Sequence, residues 1–156
     1  MPLDTDLHKS AHKGDLQCVK ELIEKGCIHV NEPGAQNRTA LHRAAGANHL
    51  PVIQYLIDQG AAVDSADRLH RTPLHWAAIS SSKCAIQLLL EREASLRSTT
   101  SSGMNPLMCA ASKGDLEVVQ LILEWAESNP DGPSPFELCT MEDMEGKAAL
   151  MLAKEA

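Results

Sequence analysis

The chain has 156 residues, of which 44% are hydrophobic but only 3% aromatic, so its core must be built from leucine, isoleucine, valine and alanine. Its net charge of −7 argues against a general nucleic-acid binder, because phosphate neutralisation needs a basic surface. No apolar run approaches the roughly 20 residues that cross a bilayer, and the first residues do not resemble a signal peptide. We therefore expect a cytoplasmic or nuclear protein that neither binds DNA nor inserts into membranes.

A seven-residue motif recurs along the chain at a nearly constant interval. Its copies read TDLHKSA from residue 5, TALHRAA from residue 39, TPLHWAA from residue 72 and NPLMCAA from residue 105. Self-similarity at such a period is typical of solenoids, whose units cannot bury an apolar face alone and must stack. The pattern predicts one domain with repeats over about 5–38, 39–71, 72–104 and 105–147, a loop insertion at 127–146 and a partial repeat over 148–156.

Each repeat is predicted to contain two helices joined by a tight turn. The motif begins a short helix, in which paired alanines such as Ala77 and Ala78 let neighbouring helices approach closely. The turn that follows contains Gly14, Asn48 and Gly114, residue types that tolerate the positive φ it demands. Longer amphipathic helices come next, with apolar residues at three- and four-residue spacing; they read LQCVKELIEKG, LPVIQYLIDQG, KCAIQLLLERE and LEVVQLILEWA.

The third repeat departs from this pattern at both of its turns. Ser80, Ser81 and Ser82 replace the usual glycine turn, and Glu93 stands where a helix-ending glycine is expected. A left-handed conformation at Glu93 would cost about 1 kcal/mol. We therefore expect the end of this helix to be frayed or locally rearranged.

The fourth repeat contains a loop ten residues longer than the period allows. Its segment SNPDGPSPFELCTMED predicts an irregular excursion, with a short turn at Pro135 to Cys139. The following GKAALMLAKEA predicts the first helix of a fifth repeat. Because this unit stops after one helix, we expect a domain cut from a longer polypeptide; the alternative is a natural chain whose last helix serves as a cap.

Taken together, these features resemble the ankyrin-repeat family. The resemblance rests on the period, on Thr-Pro-Leu-His at 72–75, on the paired alanines and on GAAVDSADRLHRTPLH at 60–75, and it covers essentially the whole chain. It implies an all-α, curved solenoid of stacked helix-turn-helix units with β-hairpin-like loops projecting from one edge. It also implies a non-catalytic interaction module that binds partners on the concave surface formed by the first helices and the loop tips.

His8, His42 and His75 occupy equivalent motif positions. A shared metal would need every ligand about 2 Å from one ion, whereas equivalent side chains in stacked repeats are about 8–10 Å apart. The three histidines therefore cannot share a zinc, and we expect neither a metal nor a cofactor. In the ankyrin family this histidine is structural, so the resemblance implies hydrogen bonds near the threonine that begins the motif.

The five cysteines, Cys18, Cys27, Cys84, Cys109 and Cys139, are dispersed without a CxxC pair, which favours reduced thiols over a disulfide framework. Cys18 lies on the apolar side of its predicted helix and is predicted to be a small core residue. Cys84 and Cys109 are expected to be partly exposed. Neither has a neighbouring base in the sequence, so no nucleophilic catalysis is predicted.

The resemblance also implies which residues face a partner, because the short helices and hairpin tips line its binding surface. Seven of the implied residues are basic and none is acidic, which leaves 7 basic and 21 acidic residues, a balance of −14, on the rest of the chain. The alternative explanation of this excess of basic residues is that charges on a solvated face are scattered by chance. Asp67, at a hairpin neck, is expected to pair with one of the arginines. The predicted partner-binding residues are Lys9, Lys13, Arg38, Arg43, Arg68, Leu69, Arg71, Trp76, Ile79, Met104, Cys109 and Lys113.

Two tryptophans are given different roles. Trp76, flanked by Leu69 and Ile79, is predicted to be a solvent-facing residue that dominates binding. The alternative is that it packs against Arg43 as a cation–π shelf. Trp125, near the end of the last long helix, is expected to cover the core under the long loop.

The sequence thus predicts a monomeric protein-interaction module that binds an acidic, partly hydrophobic peptide segment of a partner in a basic groove. Arginine suits such a groove because its planar fork binds two carboxylate oxygens at once. The alternative is a regulatory or substrate-recruiting ankyrin domain of a larger enzyme, such as a kinase or a ubiquitin ligase. A third hypothesis, binding of phosphoinositide head groups or RNA, is disfavoured by the overall acidity.

Overall fold

The computed structural model describes residues 3–26 and 28–155, so Cys27, expected to be a free thiol, lies outside the described residues. The described part forms ten α-helices and no strand, only an isolated antiparallel bridge between Glu142 and Ala148, which confirms the expected all-α stack. None of these helices is long and apolar enough to span a membrane. The helices are α1 Asp6–Lys13, α2 Leu16–Glu24, α3 Ala40–Gly46, α4 Leu50–Asp58, α5 Pro73–Ile79, α6 Lys83–Glu91, α7 Pro106–Ala111, α8 Leu116–Ser128, α9 Pro135–Thr140 and α10 Ala149–Glu155.

Each repeat packs a short first helix against a longer second helix. The motif leucines Leu7, Leu41, Leu74 and Leu107 are buried on the first helices, and the paired alanines beside them are buried too. The second helices bury residues of the predicted apolar positions, Ile53 among them. Full burial of one such side chain stabilises the fold by about 1.5–3 kcal/mol, so the apolar repeat pattern accounts for the stacking.

The tight turns between paired helices all use a left-handed residue. Gly14, Asn48, Ser81 and Gly114 have φ between 56° and 77°, as predicted for Asn48. Ser81 takes the same conformation although serine is not favoured there. The serine substitution in the third repeat therefore leaves the turn geometry unchanged.

Helix α6 ends in the same way as the second helices of the preceding repeats, which corrects the expectation of a frayed end. Glu93 adopts φ 64°, as Gly26 does in the first repeat. The backbone N–H of Glu93 donates to Leu90 O, and that of Ala94 donates to Leu89 O, at 3.0 Å each. These two hydrogen bonds hold Glu93 in the left-handed region and cap the helix. The backbone strain of a left-handed residue with a side chain therefore remains at Glu93.

First helices of neighbouring repeats contact one another more extensively than second helices do, from α1 through α3, α5 and α7 to α10. Closer approach on one side bends a stack toward that side. The array therefore curves with its first helices on the inner face, the face that the resemblance assigns to partners.

The long loop of the fourth repeat contains a short helix rather than an irregular excursion alone. Ser134 begins α9 by accepting a hydrogen bond from the N–H of Glu137, and Leu138 on α9 is completely buried. The Asn105 side chain donates to Leu138 O at 3.4 Å. The predicted turn at Pro135 to Cys139 is thus the docked helix α9.

Candidate partner-binding surface

The hairpin tips are built by one backbone hydrogen bond that recurs in every loop. An N–H donates to the carbonyl four residues on, from Gly34 to Arg38, from Asp67 to Arg71, from Thr100 to Met104 and from Asp143 to Lys147. Neighbouring tips are then joined to each other, because the N–H groups of Arg68, Ser101 and Met144 donate to carbonyls of the preceding tips, at 2.9 Å each. The tips therefore form a continuous, fixed edge beside the first helices.

Asp4 completes this edge at its N-terminal end. At the first tip, the equivalent N–H is that of Ala35, and it donates to Asp4 Oδ1 at 2.9 Å. The same carboxylate oxygen lies where a side chain on Gly34 would stand, since a Cβ there would approach it to 2.6 Å. Asp4 thus supplies the acceptor that a preceding tip supplies to each later tip, a role that no local sequence pattern indicates.

The three motif histidines connect each first helix to the hairpin that ends the same repeat and leads into the next one. Nδ1 of His42 accepts from the Thr39 backbone N–H at 3.0 Å, and its Nε2 donates to Arg71 O at 3.0 Å. His75 makes the equivalent bonds to Thr72 and Met104, and His8 makes them to Thr5 and Arg38. The structural role implied for these histidines is therefore present in all three.

Burial is the main reason why the histidine side chains stay neutral. It lowers the pKa of His42 and of His75 to about 4, although bonds to backbone carbonyls oppose the shift. The pKa of His8 is lowered for the same reason. A second proton on Nδ1 would face a backbone N–H, so protonation would break the link between repeats.

Trp76 stands at the centre of a charged cluster on α5. The guanidinium carbons of Arg38 and Arg71 lie 4.4 and 4.3 Å from the Trp76 ring centroid. The indole Nε1 donates to Asp67 Oδ2 at 3.1 Å, and the same carboxylate oxygen lies 2.9 Å from Arg71 Nη2. We call Arg38, Asp67, Arg71 and Trp76 the tryptophan cluster.

The buried carboxylate of Asp67 fixes this cluster in place. Its Oδ1 accepts from the backbone N–H groups of Leu69 at 2.8 Å and of Arg71 at 3.0 Å. Burial alone would raise the pKa of Asp67, but the hydrogen bonds from Arg71 and Trp76 outweigh it and lower the pKa. The expected pairing of Asp67 with an arginine is thus present, and it involves both Arg71 and, at 3.9 Å, Arg38 Nε.

A small pocket of about 110 Å³ opens between α1, α3 and α5, beside the tryptophan cluster. Arg38, Arg43, Gly46 and Trp76 form part of its wall, and Gly46 leaves room beside the indole, because a Cβ there would lie 3.7 Å from the ring. Arg43 binds the Asp4 carboxylate. Among the described residues, buried Nε atoms of Arg38 and Arg43 have no hydrogen-bond partner, so these cations are incompletely compensated.

Two expectations about this surface need correction. Cys109 is only 4% exposed, because α10 packs against α7, so it cannot line a binding surface or be the partly exposed thiol expected. Acids are not absent either, since Asp4 and Asp67 bind arginines of the predicted set and Asp6 lies 3.2 Å from Lys9 Nζ. The surface is therefore less positive than the sequence indicated.

Trp76 is half-buried and carries arginines on its ring, so it is not an open apolar contact. The alternative cation–π packing is present, but with Arg38 and Arg71 rather than with Arg43. Leu69, at a hairpin tip, is 47% exposed. Ile79 and Met104 are half-buried, and Lys9, Lys13, Arg68 and Lys113 are exposed.

The described cysteines differ in their surroundings. Cys18 is half-buried and accepts a hydrogen bond from Ser10 Oγ at 3.1 Å, and Cys84 is exposed. Burial raises the pKa of the Cys109 thiol to about 12, which keeps it protonated. Within residues 3–26 and 28–155, no three metal-ligating side chains come together.

Comparison with known families identifies the repeat. A family model described as ankyrin repeats, in three copies, matches residues 4–67, 62–132 and 85–156. These matches extend over almost the whole chain and agree with the stack of helix pairs.

Curated relatives match shorter stretches. Palmitoyltransferase AKR1 of Saccharomyces cerevisiae is 39% identical over 66 residues, which are 41% of this chain and 9% of that protein. Serine/threonine-protein kinase 12 of Arabidopsis thaliana is 43% identical over 58 residues, 37% of this chain and 12% of the kinase. Ankyrin repeat domain-containing protein 49 of Homo sapiens is 43% identical over 54 residues, 35% of this chain and 23% of that protein. The chain thus spans a small part of each relative.

Proposed function

The chain belongs to the ankyrin-repeat family, and from this premise we propose that it is a non-catalytic protein-interaction module that binds an acidic, partly hydrophobic peptide segment of a partner. The segment lies along the inner face, between the first helices and the hairpin tips. Arginines supply the main attraction, and exposed lysines at the helix ends extend the basic surface.

The observation that carries the proposal is the pocket beside the tryptophan cluster. Arg38 and Arg43 both line it, and their guanidinium groups are held by stacking on Trp76 and by the Asp4 carboxylate respectively. Holding an arginine in place before binding reduces the side-chain entropy lost on association. A partner carboxylate that enters the pocket would meet two partly desolvated cations, where charge-assisted hydrogen bonds are strongest.

The sequence predicts Trp76 as the apolar contact of the partner segment, whereas the surroundings of Trp76 favour a different residue. Both arginines of the tryptophan cluster lie over the Trp76 ring, so a partner residue would have to displace one of them in order to stack there. Leu69 is the exposed apolar residue on the neighbouring hairpin tip. We therefore assign the hydrophobic part of the segment to Leu69, with Trp76 acting through the arginines that it positions.

Selection from a random peptide library tests the proposal, because it requires no purified partner. Immobilised protein is used to select binding peptides, and the affinity of the selected peptides is then measured for the unaltered protein and for variants. We expect acidic residues beside an apolar residue in the selected peptides. Arg71→Gln should weaken their binding about ten-fold, because it removes a positioned cation and leaves the Asp67 carboxylate less compensated.

Arg92→Gln is the matched control, because Arg92 also binds a carboxylate, that of Asp58 at 3.1 Å, but at the end of α6 outside this surface. Joint replacement of Trp76 and Arg71 should abolish measurable binding while circular dichroism shows an intact helical fold. Selected peptides without an acidic bias, or binding that survives the joint replacement, would place the site elsewhere.

A second candidate function is a regulatory or substrate-recruiting ankyrin domain of a larger enzyme. The partial matches to a palmitoyltransferase and to a protein kinase favour it. Sequencing of the complete transcript tests this candidate: a catalytic domain in the same reading frame would support it, and a reading frame limited to ankyrin repeats would exclude it.

A further inference from the structure

A second concave site lies outside the inner face, where the long loop of the fourth repeat meets the end of the third. The cavity there measures about 430 Å³. Its apolar wall includes Leu90, Leu96 and Ala126, which are almost completely buried, together with the half-buried Trp125. Trp125 thus lines an open cavity in addition to covering the core under the loop.

The same cavity is lined by two acidic side chains. Glu93 and Asp131 both line it and are both exposed. Within the described part of the chain, neither carboxylate has an ion pair or a side-chain hydrogen bond. The one cation of the lining, Arg97, is already bound through two hydrogen bonds to Glu137, at 2.8 and 3.1 Å. The cavity therefore offers uncompensated negative charge above an apolar floor.

This combination is specific to the third repeat. The residues equivalent to Glu93 are Gly26 and Gly60, which carry no side chain. The loop that contributes Asp131 belongs to the ten extra residues of the fourth repeat. The first repeat has a cavity of about 310 Å³ at the equivalent place, but among the described residues its lining, which includes Ile23, Gly26 and Ile28, contains no acidic side chain.

We infer that the cavity binds a lysine or arginine side chain of a partner polypeptide. The aliphatic stem packs against Leu90, Leu96 and Trp125, and the cationic head lies between Glu93 and Asp131. Long basic side chains bind in this way because the stem is apolar and the head remains partly hydrated. A tryptophan face adds cation–π attraction, and carboxylates at the rim add charge complementarity.

The test uses Nα-acetyl-arginine amide as the probe, with Nα-acetyl-citrulline amide as its neutral, nearly isosteric control. The two indole N–H signals of ¹⁵N-labelled protein report separately on Trp125 and on Trp76. We expect the arginine compound to shift the Trp125 signal in a saturable way while the Trp76 signal stays in place. The citrulline compound should shift neither signal.

Joint substitution of Glu93→Gln and Asp131→Asn should weaken binding of the arginine compound about five-fold or more, because both charges facing the cation are removed. Glu127→Gln is the control, since Glu127 is an exposed acid on α8 that does not line the cavity. Should the joint variant lose its dispersed spectrum, the two single variants carry the test, because each changes one exposed side chain.

Equal shifts with the arginine and citrulline compounds would overturn the inference, as would retention of affinity within about two-fold in the joint variant. Failure of this test leaves the peptide proposal for the inner face untouched, because Arg71→Gln and the cavity substitutions alter different surfaces.

Discussion

At the scale of single residues, the neutral motif histidines are the clearest link between sequence and stability. Each accepts a hydrogen bond from a backbone N–H at Nδ1 and donates through Nε2 to the hairpin that leads into the next repeat. Only one tautomer of neutral histidine can do both. The stack is therefore held together by groups that must remain unprotonated.

We predict that stability falls as pH is lowered from about 6.5 toward 4, because the pKa of His42 and of His75 is about 6.5 in the unfolded chain and about 4 in the folded one. Between these values the unfolded chain binds more protons, so acid favours unfolding. At about pH 5 each histidine should lower the free energy of unfolding by about 2 kcal/mol relative to neutral pH. Urea denaturation at the two pH values measures this difference.

The variant His75→Met provides the control, because Met108 occupies the equivalent position in the fourth repeat. It should be less stable at neutral pH, where two hydrogen bonds are lost, and should lose the part of the pH-dependent change that His75 contributes, about 2 kcal/mol at about pH 5. An unaltered pH dependence would show that other groups cause it.

Replacement of Glu93 by glycine is expected to raise stability, whereas replacement of His75 is expected to lower it. Its φ of 64° is left-handed, which costs a residue with a side chain about 1 kcal/mol relative to glycine. Glu93→Gly should therefore stabilise the protein by about that amount in equilibrium unfolding, despite the greater flexibility of the unfolded chain. Glu91→Gly is the control, since Glu91 is exposed within α6, where glycine is destabilising by about 1 kcal/mol. Destabilisation by Glu93→Gly would contradict the strain argument.

Sequence reasoning succeeded for residues whose role depends on their own repeat. The left-handed Asn48 follows from the position of glycine in neighbouring copies, whereas Glu93, where the helix end was expected to fray, keeps the left-handed cap. Sequence reasoning did not predict the role of Asp4 and predicted that of Asp67 only in part. The contacts of these two residues join positions that the repeat motif does not connect. Arg43 lies 39 residues from the Asp4 carboxylate that it binds, and no period of 33 residues predicts that contact.

At the scale of elements, the extra segment of the fourth repeat is a structural part of the stack. Its helix α9 buries Leu138 and receives a hydrogen bond from Asn105, while Phe136 on the same helix is 78% exposed. Proline and glycine content predicted an excursion and a turn. The packing of α9 against the stack could not be predicted from the sequence, because a single leucine in a polar segment forms no repeating pattern of apolar residues.

The docking of α9 is tested by a pair of substitutions on that helix. Leu138→Ala should lower the free energy of unfolding by about 2–4 kcal/mol, because it leaves a cavity in the core. Phe136→Ala removes a larger side chain but should change stability by less than about 0.5 kcal/mol. Thermal or urea unfolding distinguishes the two, and equal effects would indicate that α9 is not packed as described.

At the scale of the whole molecule, the proposed function requires an inner face that carries positioned arginines on an acidic protein. Under the proposed function, the net charge of −7 would repel an acidic partner from other surfaces, so the arginines would determine where it binds. Sequence reasoning predicted this face as a group of neighbouring positions, and Arg38, Arg71 and Trp76 of that group do contact one another. It overestimated the charge of the face, because acids from outside the motif positions are folded into it.

The most direct test measures the dissociation constant of a selected acidic peptide at about 0.05 M and about 0.3 M salt, for the unaltered protein and for Arg71→Gln. We expect the unaltered protein to lose about ten-fold in affinity over this range, and Arg71→Gln to bind more weakly and to depend less on salt. An affinity that is independent of salt, or equal for the two proteins, would contradict the proposal that arginines on the inner face bind an acidic segment.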